Sequence, residues 1–194
     1  MTPPSGAPPT VVLDEDALRD RVEALAHEIS NDHPDGVVFV AVLKGALILL
    51  ADLVRHVSVD VSVDFLAISR YAPDSGRVRI LKDLDLDVTD RDVVIVEDLV
   101  DTGLTLAYLV QHMSDRGARR ITTCALLNRS ERRIVPLPVR YVGLDIPGDA
   151  YVLGYGLHAD DRYRNLPFVV RADPDTLRAD PDAYLDLYAA EPRS

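Results

Sequence analysis

The chain carries a single cysteine in 194 residues, so no disulfide can close within it and its stability must come from a buried core, as suits a reducing compartment. That residue, Cys124, stands in the apolar run 121–127 and reads as a small core side chain, not a reactive thiol. Positive charge is also scarce: 21 Lys and Arg face 32 Asp and Glu, a formal net charge of −11, and the basic residues are dispersed. Binding nucleic acid by bulk electrostatics is thereby excluded, because that mode needs clustered cations to displace counterions. No apolar stretch approaches the ~20 residues that cross a bilayer; residues 46–51, the longest candidate, stop at Asp52. Residues 1–10 are rich in Pro, Ser, Gly and Ala and lack the basic start and apolar run of a secretory signal, so they read as a disordered lead. There is no internal repeat. A cytoplasmic protein with neither nucleic acid nor membrane as partner is expected.

What is present centres on residues 93–106, VVIVEDLVDTGLTL. Val93, Val94, Ile95 and Val96 form a short apolar run between charged pairs, the signature of a strand buried on both faces of a parallel sheet. It ends in two adjacent acids, Glu97 and Asp98. Asp101, Thr102, Gly103, Leu104 and Thr105 follow, where Gly permits an unusual turn before helical sequence begins at about Leu106. Backbone N–H groups of such a turn, at a helix N-terminus, bind phosphate without Lys or Arg, and the Thr hydroxyls add donors. The acids can accept hydrogen bonds from ribose hydroxyls or hold Mg2+, a hard cation that prefers oxygen. Asp101 is left as the candidate general base. From spacing alone, an ordinary strand–turn–helix with acids at the helix start fits equally well.

The rest of the chain supplies the layers of one domain, residues 11–194, whose 47% hydrophobic content can bury a sizeable core. Residues 14–30 show a helical period with Asp14 or Asp16 as N-cap. Residues 37–43 read as a central parallel strand that delivers Lys44-Gly45 to its C-terminal end, the ligand-binding edge of open α/β sheets. A buried helix over 46–54, a half-buried strand over 57–68, a turn-rich segment and a returning strand over 77–81 come next. After the helix over 106–116, closed by Gly117, strands are expected at 121–127, 140–144 and 151–155, and a short helix within 180–190.

The Glu97-Asp98 and Asp101-Thr102-Gly103-Leu104-Thr105 segment resembles the phosphoribosyl-pyrophosphate (PRPP) motif of the type I phosphoribosyltransferases, in the form carried by the hypoxanthine-guanine branch. Ordered matches accompany it: Val42-Leu43-Lys44-Gly45-Ala46, Val63-Asp64-Phe65, Ser69 and Tyr71, Leu81-Lys82-Asp83-Leu84, Tyr141-Val142-Gly143, Gly154-Tyr155-Gly156-Leu157, and Tyr163-Arg164-Asn165-Leu166-Pro167. The similarity covers roughly residues 12 to 170.

The resemblance implies an α/β fold with a central, mostly parallel sheet flanked by helices, a core over about 35–145, a hood from 11–34 and 146–194, and a mobile lid hairpin. It implies transfer of the phosphoribosyl group from PRPP to a free 6-oxopurine, with Mg2+, in a homo-oligomer (dimer or tetramer). Asp101 would then be the catalytic base. Glu97 and Asp98 would hold ribose and metal, and residues 102 to 105 the 5'-phosphate. Lys44, Gly45 and Arg164 would bind pyrophosphate, through a loop that can carry a cis non-proline peptide. Ser69 and Tyr71 would sit on the lid, and Arg129, Tyr151 and Val152 would meet the purine. The chain departs from the family at Ser69-Arg70-Tyr71-Ala72, at Arg129 where Lys is usual, and at His158, where the family supplies an Asp to Mg2+. Imidazole suits Mg2+ poorly, so Asp160 or Asp161 is a candidate substitute. A modified purine such as a deazapurine is an alternative substrate. A non-catalytic nucleotide- or RNA-binding regulator of the same fold is the alternative from another class, and the intact Asp101 counts against it.

Overall fold

Runs of branched apolar residues build the centre of the fold, and polar turns set its edges. The computed structural model describes residues 8–69 and 79–189. In chain order these form β1 (Thr10–Leu13), α1 (Glu15–Asp32), β2 (Val37–Leu43), α2 (Leu47–His56), β3 (Val61–Ser69) and β4 (Arg79–Lys82). They continue as β5 (Asp92–Val100), α3 (Leu104–Asp115), β6 (Arg120–Asn128), β7 (Tyr141–Asp145), β8 (Tyr151–Leu153), β9 (Val169–Ala172) and α4 (Pro174–Ala179). Short 3-10 turns occupy Ser130–Arg132 and Leu185–Ala189.

Six strands in the order β4-β3-β2-β5-β6-β7 make the main sheet, parallel throughout except for the edge strand β4. Strand β2, VVFVAVL, is buried along all but its last residue, which explains why it shows no alternation of polar and apolar residues: both its faces are covered. On one face lie α1 and α2. Asp14 caps α1 by accepting the Ala17 N–H at 2.8 Å, and Leu18, Val22, Leu25, Ala26 and Ile29 fall on the buried stripe against α2. On the other face, Leu106, Leu109 and Met113 of α3 close over Val38, Val40, Val93 and Ile95. Each such aliphatic side chain removed from water contributes about 1.5–3 kcal/mol. A second sheet, ordered β1-β9-β8, draws its strands from both ends of the chain.

The expected mostly parallel α/β sheet flanked by helices is the architecture found, with shifted boundaries. Strand β3 begins at Val61, four residues later than expected, because 57–60 connect it to α2 while Val57 and Val59 still pack on the core. Helix α3 begins at Leu104, two residues early, because Gly103 at φ +83° forms its N-cap without a side-chain acceptor. The 180–190 segment contains a 3-10 turn instead of an α-helix. Strands β1 and β9 and helix α4 were not expected; at four residues each, the two strands are too short to display a period, and β1 begins at Thr10, the last residue of the stretch read as a disordered lead. The segment anticipated as the lid tip, with Arg70, Tyr71 and Ala72, lies outside the described residues. Among the described residues, no helix is long and apolar enough to cross a membrane.

The chain order reverses between β2 and β5: β3 lies beyond β2 on one side, and β6 beyond β5 on the other. Adjacent parallel strands whose connections leave in opposite directions open a crevice at their C-terminal ends. Those ends carry Lys44-Gly45 and Glu97-Asp98.

Candidate active site

The crevice is a cavity of about 510 Å³. Lys44, Gly45, Glu97, Asp98, Asp101, Thr102, Gly103, Thr105, Arg129, His158, Asp161 and Arg164 all line it. Four segments far apart in sequence therefore meet at one sheet edge.

On the floor, the acids belong to the strand. β5 runs on through Glu97 and Asp98 to Val100, and Glu97 is paired in register with Ala125 of β6, so the carboxylates are held by the sheet and not by a loop. Both are buried, and Asp98 accepts the Leu99 N–H at 2.9 Å. Beside them the Leu43–Lys44 peptide is cis. Gly45 is required by its surroundings: a Cβ there would lie 1.7 Å from Asp98 Oδ2. Gly156, at φ +96°, closes the stack, since its own Cβ would fall 2.1 Å from the Gly45 carbonyl. Two hard carboxylates lining the floor of the cavity suit Mg2+, which binds oxygen ligands.

The turn 101–103 is clamped from outside. The Thr102 carbonyl accepts N–H bonds from Ile134 and Val135 at 2.9 and 3.2 Å, and Gly103 leaves room for Arg133. Asp101 faces two cations: Arg132 Nε stands 3.0 Å from Oδ1 and Arg129 Nη1 stands 3.6 Å from Oδ2. Arg129 also donates through Nη2 to the Ala150 carbonyl. Its Nε is buried with no hydrogen-bond partner among the described residues. Burial lowers the affinity of the Arg129 guanidinium for its proton, with Asp101 pulling the other way.

The opposite wall is built on Asp161. Its Oδ2 accepts from Lys44 Nζ at 3.0 Å, and its Oδ1 accepts from Arg164 Nη2 at 2.8 Å and Nε at 3.2 Å. These bonds, Arg164 first, pull the Asp161 carboxyl down from an ordinary 3.8 to about 2. A depressed carboxyl contributes stability that is fully present above its unfolded value and is lost as the pH falls through the folded one. The melting difference between the native chain and Asp161→Asn is therefore expected to be flat from neutral pH down to 3.8 and to shrink from there toward about 2. The difference will be small, because Asp161 and Lys44 are exposed to water and salt. A difference that vanishes well above pH 4, or grows on acidification, would show that the pairing does not hold the carboxylate.

The expected residues are not all brought together. Val152 packs in the hydrophobic core and is not among the lining residues. Tyr151, Ser69 and Leu104 are not among the lining residues either, and Leu104 is exposed. Ser69 closes β3 with its hydroxyl buried and without a hydrogen-bond partner among the described residues. The pairing of Arg132 with Asp101, and the role of Asp161 between Lys44 and Arg164, had no sequence signal: Lys44 and Asp161 stand 117 positions apart. Cys124 is buried, and burial pushes its thiol up to about 12, so it is a packing residue as expected.

Residues 11–162 match the family model described as phosphoribosyl transferase domain. A hypoxanthine-guanine phosphoribosyltransferase of Mycobacterium avium is 41% identical over 175 residues, covering 85% of this chain and 86% of that protein. A solved hypoxanthine-guanine phosphoribosyltransferase of Bacillus anthracis, with HEPES in its active site, superposes with a TM-score of 0.81 at 39% identity, covering 84% of this chain and 98% of the other. The hypoxanthine phosphoribosyltransferase of Trypanosoma cruzi, solved with its product IMP, gives 0.80 at 36% identity over 85% of this chain and 94% of that one.

Proposed function

The chain belongs to the phosphoribosyltransferase family, and from that premise we propose that it transfers the 5-phosphoribosyl group of PRPP to a 6-oxopurine, hypoxanthine or guanine, releasing pyrophosphate. The observation that carries this reading is that one cavity gathers three kinds of group. The acids Glu97 and Asp98, the turn 101–103 at the start of α3, and the cations Lys44 and Arg164 that share Asp161 all line it. PRPP has the matching polarity. Its ribose diol seeks carboxylates, its 5'-phosphate seeks backbone amides at a helix start, and its pyrophosphate seeks cations.

In this reading the bond from ribose C1' to pyrophosphate breaks as the bond to the purine nitrogen forms, and the purine loses a proton. Asp101 takes or relays that proton near purine N7, and Arg129 and Arg132 hold its carboxylate in place. Thr102, Gly103 and Thr105 anchor the 5'-phosphate, with the amide of Leu104 at the start of α3. Lys44 and Arg164 stabilise the charge that gathers on the departing pyrophosphate, and PRPP displaces Asp161 from them. Arg129, which lines the cavity and whose Nε has no hydrogen-bond partner among the described residues, supplies a donor for the 6-oxo oxygen of the base. Glu97 and Asp98 would hold Mg2+, which neutralises substrate phosphate charge when bound. Assembly as a dimer or tetramer and a cytoplasmic setting belong to the same reading.

Assay of hypoxanthine, guanine, xanthine and adenine, each with PRPP and Mg2+, tests it. Turnover of the first two is expected, and turnover of adenine alone would overturn the assignment. Glu97→Gln combined with Asp98→Asn is expected to weaken both PRPP and Mg2+ binding, because the amides keep the shape and lose the charge. Normal PRPP affinity in that double variant, measured by calorimetric titration, would remove the two acids from the ribose and metal site.

A further inference from the structure

His158 lines the cavity on the wall of Lys44 and Arg164. Its hydrogen bonding decides what it can offer a ligand. The Asp161 backbone N–H donates to His158 Nδ1 at 3.1 Å. A ring nitrogen that accepts carries no proton, so the neutral imidazole bears its proton on Nε2. A metal-bound imidazole has the reverse arrangement, with one nitrogen on the metal and the other donating its N–H to a carboxylate or carbonyl. Here the remote nitrogen is engaged by a donor, which leaves Nε2 as an N–H with no lone pair for a cation. Asp161 cannot supply the missing oxygen ligand without breaking its own pairs with Lys44 and Arg164, and Asp160 is not among the residues that line the cavity. The chemistry of this wall fits an anion.

We propose that His158 is a hydrogen-bond donor to pyrophosphate through Nε2–H, and that the chain holds its divalent cation on the Glu97 and Asp98 side alone. The inference rests on the reading of the Lys44 and Arg164 wall as the pyrophosphate site. It makes His158 a substrate-contacting residue whose partner is the phosphoanhydride group, in either PRPP or free pyrophosphate.

Calorimetric titration with inorganic pyrophosphate in the presence of EDTA separates the two claims. His158→Ala is expected to weaken metal-free pyrophosphate binding about fivefold to tenfold, as loss of one hydrogen bond to an anion does. His158→Gln, whose amide nitrogen can take the place of Nε2–H, should keep the affinity within about twofold of the native chain. If His158→Ala binds unchanged while Arg164→Ala binds more weakly, the donor role is overturned and the pyrophosphate reading stands. If Arg164→Ala also binds unchanged, that reading fails with it. Two spectroscopic measurements cover the metal claim. With Mn2+ and pyrophosphate bound, electron spin echo modulation of the native chain should show no directly bonded nitrogen. A nitrogen coupling that disappears in His158→Ala would overturn the proposal. The nitrogen spectrum of histidine-labelled native protein with pyrophosphate should show the His158 proton on Nε2, and a proton found on Nδ1 would overturn it as well.

Discussion

Asp101→Asn is expected to lower turnover by about 10²–10⁴-fold while PRPP still binds, the loss typical of removing a general base. The amide keeps the size and hydrogen-bonding reach of the carboxylate but cannot take a proton from the purine. Its ion pairs with Arg132 and Arg129, at 3.0 and 3.6 Å, will be lost. Because Asp101 and Arg132 are partly open to solvent, their pair contributes only about 0–1 kcal/mol, and the more buried Arg129 keeps its bond to the Ala150 carbonyl, so the fold will hold and the loss will lie in the chemical step. Steady-state turnover, paired with PRPP affinity by calorimetry, checks this. Turnover within about threefold of the native value would remove Asp101 from proton transfer, since a general base contributes at least ~10²-fold.

Gly45→Ala is expected to reduce kcat/KM by roughly 100-fold or more without touching any group that reacts, on the scale that an ångström of misplacement costs. The new methyl would lie 1.7 Å from Asp98 Oδ2, far inside the 3.0 Å that real Cβ contacts respect, and Gly156 blocks retreat because it is stacked on the Gly45 carbonyl. Either Asp98 leaves its place or the 43–46 turn moves away from the cavity. Overpacking of this kind costs about 1–3 kcal/mol, and each kcal/mol lowers the melting temperature of a chain this size by about 2–4 °C. A companion variant, Gly45→Ala with Asp98→Ala, makes room for the methyl. It should recover most of the melting temperature and none of the activity. Full activity in Gly45→Ala alone would show that Asp98 does not need its position against this turn.

Which parts of the site could be read from the sequence follows from the range of the forces involved. The β2 and β5 cores announced themselves because a strand covered on both faces has no polar position to spare, and that pattern is local. Gly117 closing α3 was equally legible, since it takes φ +78°, in the region that side chains avoid. The start of α3 was misjudged because a glycine N-cap leaves no side-chain signature. Tyr151 and Val152, assigned to the base by resemblance, stand outside the lining residues of the cavity, and only Arg129 of that trio reaches it. Arg129 gets there through its bond to the Ala150 carbonyl, 21 positions away, which no local pattern encodes.

By itself the sequence determined a single-cysteine, acidic α/β chain with its functional edge at the ends of two apolar strands, because strand burial, turn chemistry and phosphate cradling are written in neighbouring residues. Only the tertiary structure decided how charges from distant segments are shared across that edge. Asp101 lies between Arg129 and Arg132, Asp161 between Lys44 and Arg164, and the carboxylate of Asp98 against Gly45. The tautomer of His158 belongs to the same class of fact. It depends on an amide three residues on that is aimed by the left-handed backbone of Asp160 and Asp161, at φ +47° and +63°. Charge and hydrogen-bond partners are chosen by proximity in space, and proximity between positions 44 and 161 exists only once the sheet has formed.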